Sequence, residues 1–367
     1  MQQDFHYYAT YCAAYLAGYS HEESMAICYS AQFVDHCSAT LLKGIKGPAK
    51  AATTQLQAEL MDTRTDIVGL QNITRIWSSF HFLPVNLSAE VKGGRRYRNK
   101  YRLICGPNGD LAAKTVETAK DKSLQAAGVA MHVLADTWAH RYFAGTPSLV
   151  INNTSYHFYE ILGEGEDAPS RHLDFRHSPT TPDDPDNGRY TNSVYQSKEN
   201  NIMNLGHGRA GHLPDYSFAR YRYLPAWGNY MEVVKDNPAE YMKAFCQMVH
   251  ALKYLRGSIP AFALDTYDEE SVAPYKDEIK EILNRRQLSA SSDWKALAER
   301  LSGREIEEFD IKKYQQEYQS AAKEDKSNTF LGKFIAAAQE QKSMVTNAIY
   351  TSGNRLAGVS REVTADD

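Results

Sequence analysis

The stretch AMHVLADTWAHRYFAG, residues 130–145, carries three polar side chains, His132, Asp136 and His140, at successive four-residue steps through an otherwise apolar run. Successive helical residues turn by about 100°, so the three fall within an arc of about 80° on one helix face. The residues between them (Met131, Val133, Leu134, Ala135, Ala139) are apolar, which makes this a helix buried nearly all round. A buried carboxylate needs a partner, because leaving it unpaired is costly. Two readings stay open at this point. The helix carries core histidines hydrogen-bonded to an aspartate, or it offers imidazole and carboxylate ligands to a metal.

Other segments bear on that choice. His6 follows Asp4 in an aromatic run, and Asp35 ends an otherwise apolar helical pattern. His81 stands in the short apolar segment SSFHFLP. His207, His212 and Asp215 cluster in GHGRAGHLPD, where glycines let the backbone bend around a bound group. Together these give ten candidate ligands: Asp4, His6, Asp35, His81, His132, Asp136, His140, His207, His212 and Asp215. Three or four serve one zinc, so the set would supply two or three ions with a bridging carboxylate. His157, His172, His177 and Asp174 fall in loop-like sequence and read as solvated, and His250 reads as a surface or core residue of an amphipathic helix. No G-x-S-x-G elbow or Walker A loop is present.

The rest of the chain reads as mainly helical. Ser20 and Glu23 form a capping box before HEESMAICYSAQFVDH. A helix is expected from about Lys50 to Leu60, and a long helical pattern runs from Asp110 to about Tyr142 with a break near Lys120. Asn237 and Pro238 open an amphipathic helix that Gly257 stops. Charged amphipathic helices follow, and β-type alternation is scarce. The expected organisation is a catalytic domain over residues 1–260 with a helical extension over 261–367 packed on it. The 41 basic and 45 acidic residues leave no basic footprint for duplex nucleic acid. Five cysteines without a CxxC pair read as reduced thiols. The first residues lack a secretory pattern, so the chain reads as cytoplasmic, with non-classical export as an effector the other reading. Many of the 24 tyrosines lie next to candidate ligands and suit the lining of a wet cleft.

DFHYY, SAQFVDH, SSFHFLP, MHVLADTWAHRYFAG and GHGRAGHLPD resemble a bacterial family that is similar to the zinc-dependent phospholipase C and single-strand nuclease superfamily. The resemblance spans residues 4–250. It implies a single large helical domain of zinc-dependent phospholipase C type, with long loops and extra C-terminal helices. It also implies a first zinc on Asp35, His81, His132 and Asp136. A second would take His140, His207 or His212, and Asp215. A third would share Asp136 and take His6. The superfamily completes that third site with the amino group of an N-terminal Trp; no Trp begins this sequence, and Asp4 is the natural substitute. The implied activity is phosphodiester hydrolysis by metal-activated water. Asp35 and Asp136 would be catalytic, with glycerophospholipid as substrate and transient contact with a membrane surface. A nuclease or nucleotide phosphodiesterase, and a non-catalytic metal-binding protein, are the alternatives. Arg141 and Arg209 are candidate phosphate contacts whose simpler reading is surface solvation.

Overall fold

The computed structural model describes residues 1–56, 59, 67–155, 157–165, 167–176, 181–192 and 205–358. The molecule is mainly helical. Its principal helices are α1 (Thr10–Leu16), α2 (His21–Phe33), α3 (Ile67–Phe80), α4 (Asp110–Ala119), α5 (Leu124–Ala139), α6 (Asn237–Arg256), α7 (Lys276–Asn284), α8 (Ser291–Ser302) and α9 (Phe330–Thr351). A wide π-helical turn, Asp4–Ala9, leads into α1, and Gly18 ends that segment at φ +93°.

Local chemistry explains the boundaries. Ser20 Oγ accepts from Glu23 N while Ser20 N donates to the Glu23 carboxylate, the reciprocal box that starts α2. Lys120 leaves the helical region and Ser123 caps Ala126 N, so the Asp110–Tyr142 pattern is two helices. Asp236 caps α6 at Ala239 N, and Gly257 stops it in the left-handed conformation.

α5 is the centre of the molecule. Every residue from Gln125 to Ala139 is buried, with α2, α4, α6 and α9 packed around it. Gly128 sets how closely α2 approaches. A Cβ there would lie 2.4 Å from Ile27 O and 2.5 Å from Ser30 Cβ. Backbone carbonyls of α2 are thereby brought within reach of α5 side chains.

Short strands that the sequence reading did not anticipate form a four-stranded antiparallel sheet. They are β1 (Tyr159–Ile161), β2 (Ser170–His172), β5 (Arg220–Tyr223) and β6 (Val233–Asp236), in the order β2-β1-β5-β6. β3 (Asp174–Arg176) and β4 (Arg189–Thr191) pair in parallel beside it. Runs of three or four residues are too short to show a period of two. Beneath the sheet lies a second apolar cluster built on Phe82, Phe143, Phe158, Tyr221 and Tyr223.

The expected boundary near residue 260 does not divide the core. Trp294, Leu297, Phe334 and Val345 belong to the same cluster as Phe5 and Phe245, and Trp294 meets both of those rings edge-on or tilted. Gln341 on α9 donates to Ser79 O and to Thr115 Oγ1. The helix expected from Lys50 is instead one 3-10 turn, Ala49–Ala51, followed by non-helical backbone through Leu56; most of the rest of the expected span lies outside the described residues. Tyr7, Tyr11, Tyr29, Tyr190, Tyr221, Tyr223 and Tyr241 are fully buried. These tyrosines fill the core and do not line a wet cleft.

Gly128→Ala should destabilise the fold by about 1–3 kcal/mol, because the clash is with backbone. Gly44→Ala, with nothing within 4 Å of the added Cβ, should stay within about 0.5 kcal/mol of the parent. Denaturant unfolding of both variants checks the pair, and equal stabilities would contradict the packing described.

Candidate metal centre

Asp136 sits in the last turn of α5 with none of its surface exposed. Its two oxygens face different partners. Oδ2 lies 3.2 Å from His81 Nδ1, 3.2 Å from His132 Nε2 and 3.4 Å from His140 Nδ1. Oδ1 lies 3.2 Å from His6 Nε2 and 2.9 Å from the Met1 nitrogen.

The elements bring these groups together for identifiable reasons. His132 and His140 stand one turn either side of Asp136 on α5. His81 follows the end of α3. The π-helical turn presents His6, whose ring stacks on His132 at 3.9 Å between centroids. Asp35 lies just beyond α2, with Oδ1 3.8 Å from His81 Nδ1 and 3.9 Å from His132 Nε2. On the other side, Asp215 Oδ1 lies 3.2 Å from His140 Nε2 and 3.3 Å from His207 Nε2.

The tautomers follow from the second ring nitrogens. His132 Nδ1 is 2.9 Å from Ala31 O, His81 Nε2 is 3.0 Å from Thr53 O, and His140 Nδ1 is 2.7 Å from His81 O. A carbonyl only accepts, so each of these nitrogens carries the proton. The nitrogens turned toward the centre are therefore lone pairs. His81 Nδ1 and His132 Nε2 face one another at 3.3 Å, with Asp136 Oδ2 beside both. Three acceptors converge there with no proton among them. Such a set is stable around a cation, and its spacing matches the edge of a zinc tetrahedron, about 3.3 Å for ligands about 2.05 Å from the ion. The His6 ring is fully buried, and among the described residues neither of its nitrogens has a hydrogen-bond partner.

Three groups of side chains have ligand atoms within 4.8 Å of one another: His6–Asp35–His132, His81–His132–Asp136 and His140–His207–Asp215. These residues could hold a metal ion. The choice left open between His207 and His212 falls to His207. His212 is absent from these groups; its side chain is 59% exposed and its Nδ1 pairs with Asp215 Oδ2 at 3.2 Å. Asp4 also departs from expectation. Its oxygens accept from Phe5 N and Ala290 N, so it anchors the N-terminal turn and joins no ligand group. The Met1 nitrogen occupies that side of the centre, 3.3 Å from Asp215 Oδ1 and 3.4 Å from His140 Nε2.

Electrostatics agree with ligand roles. Burial lowers His6, His132 and His140 to about 4, so all three rings are neutral near pH 7. Burial would raise Asp136 and Asp215, but the surrounding imidazoles and the Met1 ammonium hold both well below the usual carboxylate range. Burial would lower the Met1 amine; Asp136, Asp215 and Asp35 outweigh it and raise the amine to about 11.

The other candidate residues divide. His157 pairs with Glu232 at 3.5 Å, while His172 and Asp174 are exposed. His250 accepts from Ala263 N on α6, and His177 lies outside the described residues. Arg141 pairs with Glu240 at 3.3 Å and lies over the Tyr142 ring. Arg209 is 5% exposed, which overturns its expected solvation. All five cysteines are buried and unpaired, and no helix among the described residues is long and apolar enough to cross a membrane. Sequence reasoning missed the carbonyls of Ala31, Thr53 and His81, because a backbone acceptor leaves no mark on residue type.

Unfolded imidazoles ionise near 6.5 and the buried ones near 4, so between these values the unfolded chain binds more protons. Stability of the metal-free protein should therefore be level from pH 8 to 7 and fall steadily as pH drops from about 6.5 toward 4. Thermal unfolding against pH measures this, and His132→Gln should flatten the slope. A melting temperature constant from pH 7 to about 4.5 would contradict the neutral buried rings.

No curated protein and no solved structure matches the chain. One family model does, over residues 1–349, reaching from the π-helical turn through most of α9. The candidate ligands and the C-terminal helices as far as residue 349 thus fall within one family match, and the chain belongs to DUF6765, a family of unknown function.

Proposed function

We propose that this protein is a zinc-dependent phosphodiester hydrolase of phospholipase C type, acting on glycerophospholipids. The observation that carries the reading is the acceptor-only convergence of His81 Nδ1, His132 Nε2 and Asp136 Oδ2. Resemblance of the His-x-x-x-Asp-x-x-x-His stretch and its companion motifs to the zinc-dependent phospholipase C superfamily supplies the fold type and the substrate class.

Asp35, His81, His132 and Asp136 would hold one ion; His140, His207 and Asp215 a second; His6 and Asp136 Oδ1 a third. Zinc in such a setting lowers the pKa of bound water toward neutrality and offsets charge on phosphoryl oxygens. The chain's own residues do the positioning. Asp136 turns one oxygen to each side of the cluster, the disposition of a bridging carboxylate. The three backbone carbonyls hold the imidazoles in the ligand tautomer before any ion arrives. Asp35 is the ligand carboxylate open to solvent, its side chain 27% exposed against 1% for Asp136 and 9% for Asp215. Substrate and water would approach over Asp35, His207 and His212, and Asp35 is placed to accept a proton from the attacking water.

Elemental analysis of protein purified without chelator should find two or three zinc ions per chain. The protein should release phosphocholine from phosphatidylcholine vesicles, and chelator should abolish turnover. Asp136→Asn should cost more than about a hundredfold in activity along with bound metal, whereas His212→Ala should cost less than about threefold. Release of nucleotides from single-stranded nucleic acid in place of lipid turnover would transfer the chemistry to the nuclease class. Bound zinc with neither activity would leave a metal-binding protein, and absence of zinc would overturn the whole reading.

A further inference from the structure

Away from the metal centre, a cavity of about 590 Å³ lies between α9, α3 and the turn Ala49–Ala51. Its α9 wall is one stripe at three- and four-residue steps, including Lys342, Ser343, Thr346 and Tyr350. Three cations line it, one from each element: Lys50, Arg75 and Lys342. No carboxylate lines it among the described residues.

The hydrogen-bond partners of Arg75 and Lys342 among the described residues are neutral. Arg75 donates to Asn72 Oδ1 at 3.1 Å and to Gln71 Oε1 at 3.5 Å. Lys342 donates to Ala52 O at 2.5 Å and lies 5.9 Å from the centre of the Phe80 ring. Burial brings Lys342 down to about 8, and the charge of Arg75 pushes in the same direction. Thr346 Oγ1 is buried without a hydrogen-bond partner among the described residues. A chain of net charge −4 thus concentrates positive charge and hydroxyl donors around one concave site. An anion with several oxygens satisfies these groups together: the guanidinium fork, the ammoniums and the hydroxyls all donate.

We propose that this cavity binds a phosphate group, as a second anion site distinct from the metal centre. The inference stands whether or not the metal centre is hydrolytic. The two sites meet along one strand of backbone: Lys342 holds Ala52 O, and the next carbonyl, of Thr53, holds His81.

The test uses the full chain in phosphate-free buffer, with inorganic phosphate as probe and thermal unfolding and titration calorimetry as readouts. Phosphate should raise the melting temperature of the parent and of Asp136→Asn alike. Arg75→Gln and Lys342→Gln should each weaken phosphate binding by about tenfold or more, and Lys342→Arg should restore most of it. If Lys342→Gln does not fold, Arg75→Gln carries the test, since Arg75 is half-buried and its hydrogen bonds among the described residues go to neighbours on its own helix. Flotation with phosphatidylcholine vesicles, with and without phosphatidic acid, separates the sources. Arg75-dependent capture by phosphatidic acid identifies a lipid headgroup; binding of phosphate without such capture identifies a soluble anion. Binding that survives Arg75→Gln, or is lost in Asp136→Asn, overturns the proposal, as does a lack of response to both probes.

Discussion

The buried carboxylate of Asp136 is the constraint around which this molecule is arranged. A charge placed in the middle of a fully buried helix is tolerated only where positive or polarisable partners surround it. The Met1 ammonium is such a partner at Oδ1, and four imidazoles stand around the carboxylate, drawn from the N-terminal turn, the end of α3 and α5 itself; His81 and His132 turn lone pairs to Oδ2, where a cation would complete the arrangement. α5 has to be central because its carboxylate must be reached from several directions. The helices around it then have to be close-packed, since a gap would admit water and loosen the ring of ligands.

Orientation in this ring is a backbone property. Ala31, Thr53 and His81 each give a carbonyl to one imidazole, and each carbonyl is positioned by a different piece of structure. Ala31 depends on how closely α2 lies on α5, and Gly128 governs that approach. The chemistry of the centre therefore rests on helix packing as much as on the identities of its histidines. His81 is both a supported ring and, through its own carbonyl, the support of His140. Disturbing it would reach both halves of the cluster.

The helical class, the capping box of α2 and the break between α4 and α5 are legible from residue order, because each follows from local chemistry. The ligand residues are legible for a different reason. Histidines and aspartates in apolar surroundings are costly, and a sequence that keeps them there signals a use. Asp4 fits that pattern as well as His6 does, yet serves the backbone of Ala290. Nothing local distinguishes the two, because the difference lies 286 residues away. His207 and His212 diverge similarly: one turns inward across a single helical turn and the other outward after Gly211, at φ +61°. The tyrosines misled because their neighbours in sequence are ligands while their neighbours in space are core. The short strands carried too few residues to declare themselves.

The bond from Ala290 to Asp4 ties the start of the chain to its last third. His6 sits on the turn that this bond anchors, so its position is coupled to the segment before α8. A nascent chain would already expose His81, His132, His140 and Asp215 while still lacking that clamp. The full set of candidate ligands is thus assembled by a contact between residues 286 apart as well as by local helix geometry.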